Sequence, residues 1–192
     1  MEHILFDYLS KYMILSDEEK KAILDLDVFK SYPSGTVLLK EGDLSTEGYF
    51  VIKGCIRSYY MIDGEEKTTE FYTETDNLSP LCSINHEPST YYVSCVEDSI
   101  LIVSNTDMEP LIFEKFPRFE SLCRILSEEL LAKNKSAFDD FKTSSPEERY
   151  LKLLQKKPDL VQRVPLYQLA SYLGITPQSL SRIRQRLAEK KK

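Results

Sequence analysis

The chain has 192 residues, a formal net charge of −6, 42% hydrophobic and 29% charged residues, four cysteines and two histidines. That length accommodates one ordinary domain plus a small one with a buried core, and no apolar run is long enough to span a membrane. The opening Met1-Glu2-His3-Ile4-Leu5-Phe6-Asp7 lacks a basic signal-peptide region, so a cytoplasmic location is expected. The cysteines (Cys55, Cys82, Cys95 and Cys123) form no CxxC pair and read mostly as small core thiols rather than a disulfide or metal framework.

In chain order, Ser16…Glu19 has capping-box spacing and predicts a helix over residues 16–25. From Val28 the period changes to that of strands. Short β-branched and aromatic runs cover Val28–Tyr32, Thr36–Lys40, Gly48–Lys53, Ile56–Ile62, Lys67–Thr73, Thr90–Cys95 and Ile100–Ser104. Pro33-Ser34-Gly35, Glu41-Gly42-Asp43, Gly54 and Asp63-Gly64 separate them, the last being a hairpin signal because both residues tolerate positive φ. Many short strands with regular turns imply an antiparallel jelly roll or barrel. A short helix is expected near Asp107–Lys115 and a long one over Glu120–Lys142. On the long helix Phe119, Leu122, Leu126, Leu130, Asn134, Ala137 and Phe141 trace a stripe at helical spacing. Such a stripe packs either on the chain's own barrel or on a second copy. Asn134 on a seam would fix the register of a dimer, the reading preferred here.

Thr143-Ser144-Ser145-Pro146 reads as a hinge followed by a capped helix that stops at Lys156-Lys157-Pro158. Beyond it, Pro165 opens a helix with Leu166, Leu169, Ala170 and Leu173 on one face, and Gly174 ends it. Thr176 caps the next helix, Pro177 takes its first turn, and Leu180, Ile183 and Leu187 form its buried stripe. Gln178, Ser179, Arg182, Gln185 and Arg186 lie off that stripe. An αα-hairpin with a solvated arginine face is the plain alternative. The glycine turn, cap, two proline starts and basic outer face together favour a helix-turn-helix whose second helix enters the DNA major groove. Arg182 and Gln178 suit base edges, Ser179 a base or a phosphate, and Arg184, Arg186 and Lys190 the backbone. Charge agrees with this assignment. Residues 145–192 hold eleven Lys/Arg against four Asp/Glu, a balance of +7, which leaves −13 on residues 1–144.

Helix, antiparallel roll, long helix and helix-turn-helix, in this order, resemble the Crp/Fnr superfamily of bacterial transcription regulators. The match is carried by Pro33-Ser34-Gly35-Thr36-Val37-Leu38, Glu41-Gly42-Asp43, Tyr49-Phe50-Val51-Ile52-Lys53-Gly54-Cys55-Ile56-Arg57, Ser145-Pro146-Glu147-Glu148-Arg149 and the helix-turn-helix. The resemblance implies an α+β chain. A cyclic-nucleotide-binding-like sensor roll would occupy residues 1–115, a connecting and dimerisation helix 116–142, and a helix-turn-helix domain 143–192. It further implies a homodimer on a pseudo-palindromic promoter site, with DNA, RNA polymerase and an unidentified small-molecule effector as partners and no membrane association, cofactor or enzymatic activity.

Two departures qualify it. Members that bind cyclic AMP carry a Gly-Glu pair and an Arg followed by Ser or Thr. Here Ser79-Pro80 and Ser89 stand in those places, and a buried phosphate without its cation is costly. The β-hairpin wing that usually follows the second helix is absent or vestigial, and the Lys190-Lys191-Lys192 tail either supplies phosphate contacts or is a solvated end. Within the roll Arg57, Tyr59, Glu70, Tyr72 and Tyr91 could line a pocket for an anionic or aromatic effector, although tyrosines are equally explained as strand formers. The rivals are an adaptor protein that has lost DNA binding and a cupin-type β-barrel enzyme. The latter is disfavoured because His3 and His86 are far apart and form no clustered metal set.

Overall fold

A computed structural model of the chain describes residues 2–105 and 109–189. It contains eight strands and nine helices among the described residues, which group into two compact units. The first comprises Met1–Arg57 and Phe71–Leu130, the second Ser58–Glu70 and Leu131–Lys192. The second unit thus takes in residues 58–70 together with the latter part of the long helix and the C-terminal helices.

The first unit opens with α1 (Glu2–Leu9) and α2 (Asp17–Leu24). The expected capping box is present at α2: the Glu19 amide donates to Ser16 Oγ at 3.2 Å and the Ser16 amide to Glu19 Oε2 at 2.7 Å. The strands are β1 (Phe29–Tyr32), β2 (Val37–Leu39), β3 (Glu47–Lys53), β4 (Ile56–Ile62), β5 (Glu65–Tyr72), β6 (Asn77–Leu78), β7 (Tyr92–Cys95) and β8 (Ser99–Asn105). They form two four-stranded sheets, β1-β8-β3-β6 and β2-β7-β4-β5. Strand β8 pairs antiparallel with both β1 and β3, so that Phe29 lies opposite Ile102 and Phe50 opposite the same residue from the other side. This is the roll expected from the strand periodicity. Two short elements inside it, β6 and α3 (Leu81–Asn85), go beyond the sequence reading.

The core beneath α1 explains why the first eight residues of the described chain are helical. Leu5, Leu9 and Leu15 pack with Ile52 of β3 and with Phe119 and Leu122. α4 (Glu109–Lys115) matches the expected short helix, whose residue Asp107 lies outside the described residues. α5 (Arg118–Thr143) is the long helix and spans both units.

The second unit continues from α5 through α6 (Pro146–Lys156), α7 (Leu160–Arg163), α8 (Leu166–Tyr172) and α9 (Pro177–Glu189). Ser145 caps α6 with its own capping box to Glu148, and Pro146 takes the first turn, as the spacing predicts. The β4–β5 hairpin turns at Asp63 and Gly64, both at positive φ. Among the described residues no helix is long and apolar enough to cross a membrane.

Candidate nucleic-acid interface

Helices α8 and α9 pack against each other as the two arms of a helix-turn-helix. Leu169, Ala170 and Leu173 of the first arm and Leu180 and Ile183 of the second are buried. Leu166, expected on the same stripe, is 36% exposed because it stands in the first turn, ahead of the crossing. Gly174 adopts φ +68°, the left-handed conformation that lets the chain turn out of α8. Thr176 then accepts a hydrogen bond from the Ser179 amide at 3.2 Å, and Pro177 begins α9.

Arg149 fixes this pair to the end of the connecting helix. Its Nε and Nη2 donate to the Leu173 carbonyl at 3.1 and 2.8 Å, and Nη1 donates to the carbonyls of Ser144 at 2.7 Å and Phe141 at 3.3 Å. The guanidinium also lies 4.5 Å from the Phe141 ring centroid. One side chain thus satisfies a C-terminal carbonyl of α8 and ties it to the hinge. Lys152 and Lys156 reach back to Asp140 at 2.7 and 3.3 Å. Their hydrogen bonds hold the Asp140 carboxyl below its ordinary value. The Ser145 cap does the same for Glu148.

The residues selected to meet DNA are distributed as follows. Gln178 and Arg182 are exposed and fall in one row with Arg186 at i, i+4 and i+8. Ser179 is half-buried and bonded to Thr176, itself exposed. Arg184 is exposed off that row. Arg186 donates to Glu147 of α6, so it braces the domain as well as facing outward. Lys190 lies outside the described residues. Sequence reasoning did not single out the roles of Arg149 or Asp140. Arg149 lies four residues after the Ser145 cap, but its partners are backbone carbonyls that no side-chain pattern announces.

The other selected residues take more varied positions. On α5, Phe119 and Leu122 are buried in the chain's own core and Leu126 packs against it. For these three, packing on their own unit replaces the expected seam. Further along, Leu130 is half-buried while Asn134 and Ala137 are exposed. Leu131, Phe138 and Phe141 are exposed too, at 71, 59 and 46%. With Asn134 they make a 3-4-3 row. In the first unit Arg57 and Tyr91 are buried and Tyr72 half-buried. In the second, Tyr59 is buried and Glu70 half-buried. The Tyr91 hydroxyl accepts from the Leu81 amide at 3.1 Å, which holds the start of α3. Ser89 is buried as well; its hydroxyl donates to the Tyr91 carbonyl at 2.8 Å, and its amide donates to Asp43. Cys55, Cys82 and Cys95 are core thiols as expected, whereas Cys123 is exposed on α5.

Residues 29–113 match the family model described as the cyclic nucleotide-binding domain. The fold is shared with FixK2 from Bradyrhizobium japonicum at a TM-score of 0.70, 16% identity and 84% coverage of each chain. It is shared with a mutant of CooA from Carboxydothermus hydrogenoformans at 0.69 and 16%, covering 91% of this chain and 82% of that one. The c-di-GMP responsive global regulator CLP of Xanthomonas campestris gives 0.62 and 17%, with 88 and 92% covered. A comparison with curated protein sequences finds no match. The likeness to these solved structures is one of fold, and the family match covers the roll.

Proposed function

We propose that the protein is a homodimeric transcription regulator that reads a pseudo-palindromic DNA site through α9, and that it is not an enzyme. The observation that carries this reading is the outward row Gln178–Arg182 on a capped helix within the basic C-terminal segment. Gln and Arg have the donor geometry to read adenine and guanine edges, and the surplus of cations supplies sequence-independent attraction to phosphate. Dimerisation is assigned to the second half of α5. Leu131, Asn134, Phe138 and Phe141 recur at coiled-coil spacing and are exposed in the single chain. Pairing there would present two recognition helices to half-sites one turn of DNA apart.

The functional division follows: a sensor roll over residues 1–115, a coupling helix over 116–142 and a DNA-binding domain over 143–192. The roll does not take cyclic AMP by the usual cassette. Ser89 occupies the place of the phosphate-binding arginine and its hydroxyl is committed to the Tyr91 carbonyl. An effector, where one acts, would be read by Arg57, Tyr59, Glu70, Tyr72 or Tyr91, and RNA polymerase is the downstream partner. The test is binding to a labelled random-sequence duplex across a salt series. Affinity should fall steeply with salt, and Arg184→Ala should flatten that slope by roughly one phosphate contact. A folded protein with no salt-dependent affinity for duplex would contradict the proposal.

A further inference from the structure

The second unit contains a contact that the DNA-binding reading does not use. Among the described residues β5 is the last strand of its sheet, so one side of its backbone has no neighbouring strand there. Ser171 of α8 meets that edge. Its hydroxyl accepts from the Thr68 amide at 2.9 Å and donates to the Glu66 carbonyl at 3.1 Å. A single hydroxyl therefore satisfies two groups that a further strand would have paired. One residue on, the Tyr172 hydroxyl donates to Glu70 Oε1 at 3.4 Å. Thr68 is buried. This seat is built from backbone groups as well as side chains, so it sets the position of the whole hairpin on the helix-turn-helix.

The consequence is electrostatic. Glu65, Glu66 and Lys67 border the same cleft, of about 970 Å³, as Thr176, Pro177 and Gln178 at the start of the recognition helix. Residues 63–70 hold Asp63, Glu65, Glu66 and Glu70 against Lys67 alone, which pairs with Glu65 at 2.5 Å and leaves a balance of −3. An acidic hairpin is thus held beside the end of α9 that meets DNA. Phosphates flanking a major groove about 12 Å wide come within about a Debye length of it.

We infer that Glu65 and Glu66 on the seated hairpin set the DNA affinity of the helix-turn-helix by repelling the phosphate backbone. The inference rests on the DNA-binding reading above. The repulsion acts on every sequence alike and offsets part of the attraction of the basic segment. Base contacts from Gln178 and Arg182 then become decisive for retention at moderate salt. Ser171 acts as a positioning residue, since it holds the carboxylates where they are felt.

The experiment measures anisotropy of a labelled random-sequence duplex with the full chain, from low salt to roughly 0.3 M. Glu65→Gln/Glu66→Gln should bind roughly four-fold tighter at low salt, about two-fold per carboxylate, with the gain shrinking as salt rises. Ser171→Ala should tighten binding in the same direction and speed amide exchange at Thr68. An equal neutralisation in the first unit, Glu41→Gln/Glu114→Gln, should have less effect. Wild-type binding with an unchanged or weaker Glu65→Gln/Glu66→Gln variant overturns the inference, as does an equal gain from the control pair. Unchanged Thr68 exchange in Ser171→Ala, or weaker binding by that variant, overturns the seat. If neither wild type nor any variant binds duplex at low salt, the DNA-binding reading itself falls and takes the inference with it.

Discussion

Replacing Arg149 with alanine removes a side chain that joins the connecting helix, the hinge and the end of α8. The guanidinium makes four hydrogen bonds to three carbonyls and stacks on Phe141. Hydrogen bonds to a charged group contribute about 1.5–3 kcal/mol each, but these share one donor group and two of them converge on Leu173. Two effective anchors give roughly 3–6 kcal/mol, and the cation–π contact adds about 0.5–1 kcal/mol. Freed side-chain entropy of about 1.5–2 kcal/mol, together with hydration of the released carbonyls, offsets part of this. A net loss of about 2–3 kcal/mol remains for Arg149→Ala. Arg149→Lys keeps the charge but cannot span three carbonyls, so it should lose about half as much. Native-state amide exchange is the suitable assay because it resolves the two units separately. Amides of α8 and α9 should exchange roughly 30- to 150-fold faster, with β3 and β8 unchanged. A change below about 0.5 kcal/mol, a loss spread evenly over the roll, or full rescue by lysine would refute the clamp.

Three further outcomes are expected. Gly174→Ala should destabilise the second unit by about 1–2 kcal/mol from the left-handed conformation alone. Its new Cβ would also lie 3.1 Å from Phe141 Cζ; a thermal melt indistinguishable from wild type would contradict that. Leu131→Glu/Phe138→Glu should sediment as a monomer where the wild type forms the proposed dimer, whereas a persistent dimer would place the seam elsewhere. Burial pushes the Cys95 thiol up from 9.0 to about 11. Since the folded value is the higher one, its contribution to stability is complete at neutral pH and is lost as pH climbs from about 9 through 11. Alkylation at roughly pH 8 should therefore label exposed Cys123 quickly and Cys95 only on unfolding, as mass mapping would reveal.

The helix-turn-helix was legible because its signals are local. Gly174, the Thr176 cap, Pro177 and the Leu180/Ile183 period each act within a few residues, and the structure has all of them. The roll was legible for the same reason, through its turns. α1 was not, since Glu2–Leu9 is held by Leu5 and Leu9 against Ile52 and Phe119, partners far away in sequence. On α5 the difficulty was a change of partner along one helix. Phe119, Leu122 and Leu126 face the chain's own core, while the exposed row further along runs through Leu131, Phe138 and Phe141. Periodicity joined the two stretches into one stripe, because spacing cannot register which surface a face meets. Ser171 gave no signal at all, as its partners are backbone groups of a strand about a hundred residues earlier.

The most direct test of the central claim is selection of the purified full chain against a randomised double-stranded DNA pool at moderate salt, followed by sequencing. The account predicts an inverted repeat whose half-sites lie about one helical turn, roughly 10 base pairs, apart. It also predicts that Arg182→Ala relaxes one position in each half-site at a cost of about 1–3 kcal/mol. A folded dimer that enriches no sequence, or an Arg182→Ala variant that recovers the same site with undiminished preference, would contradict it.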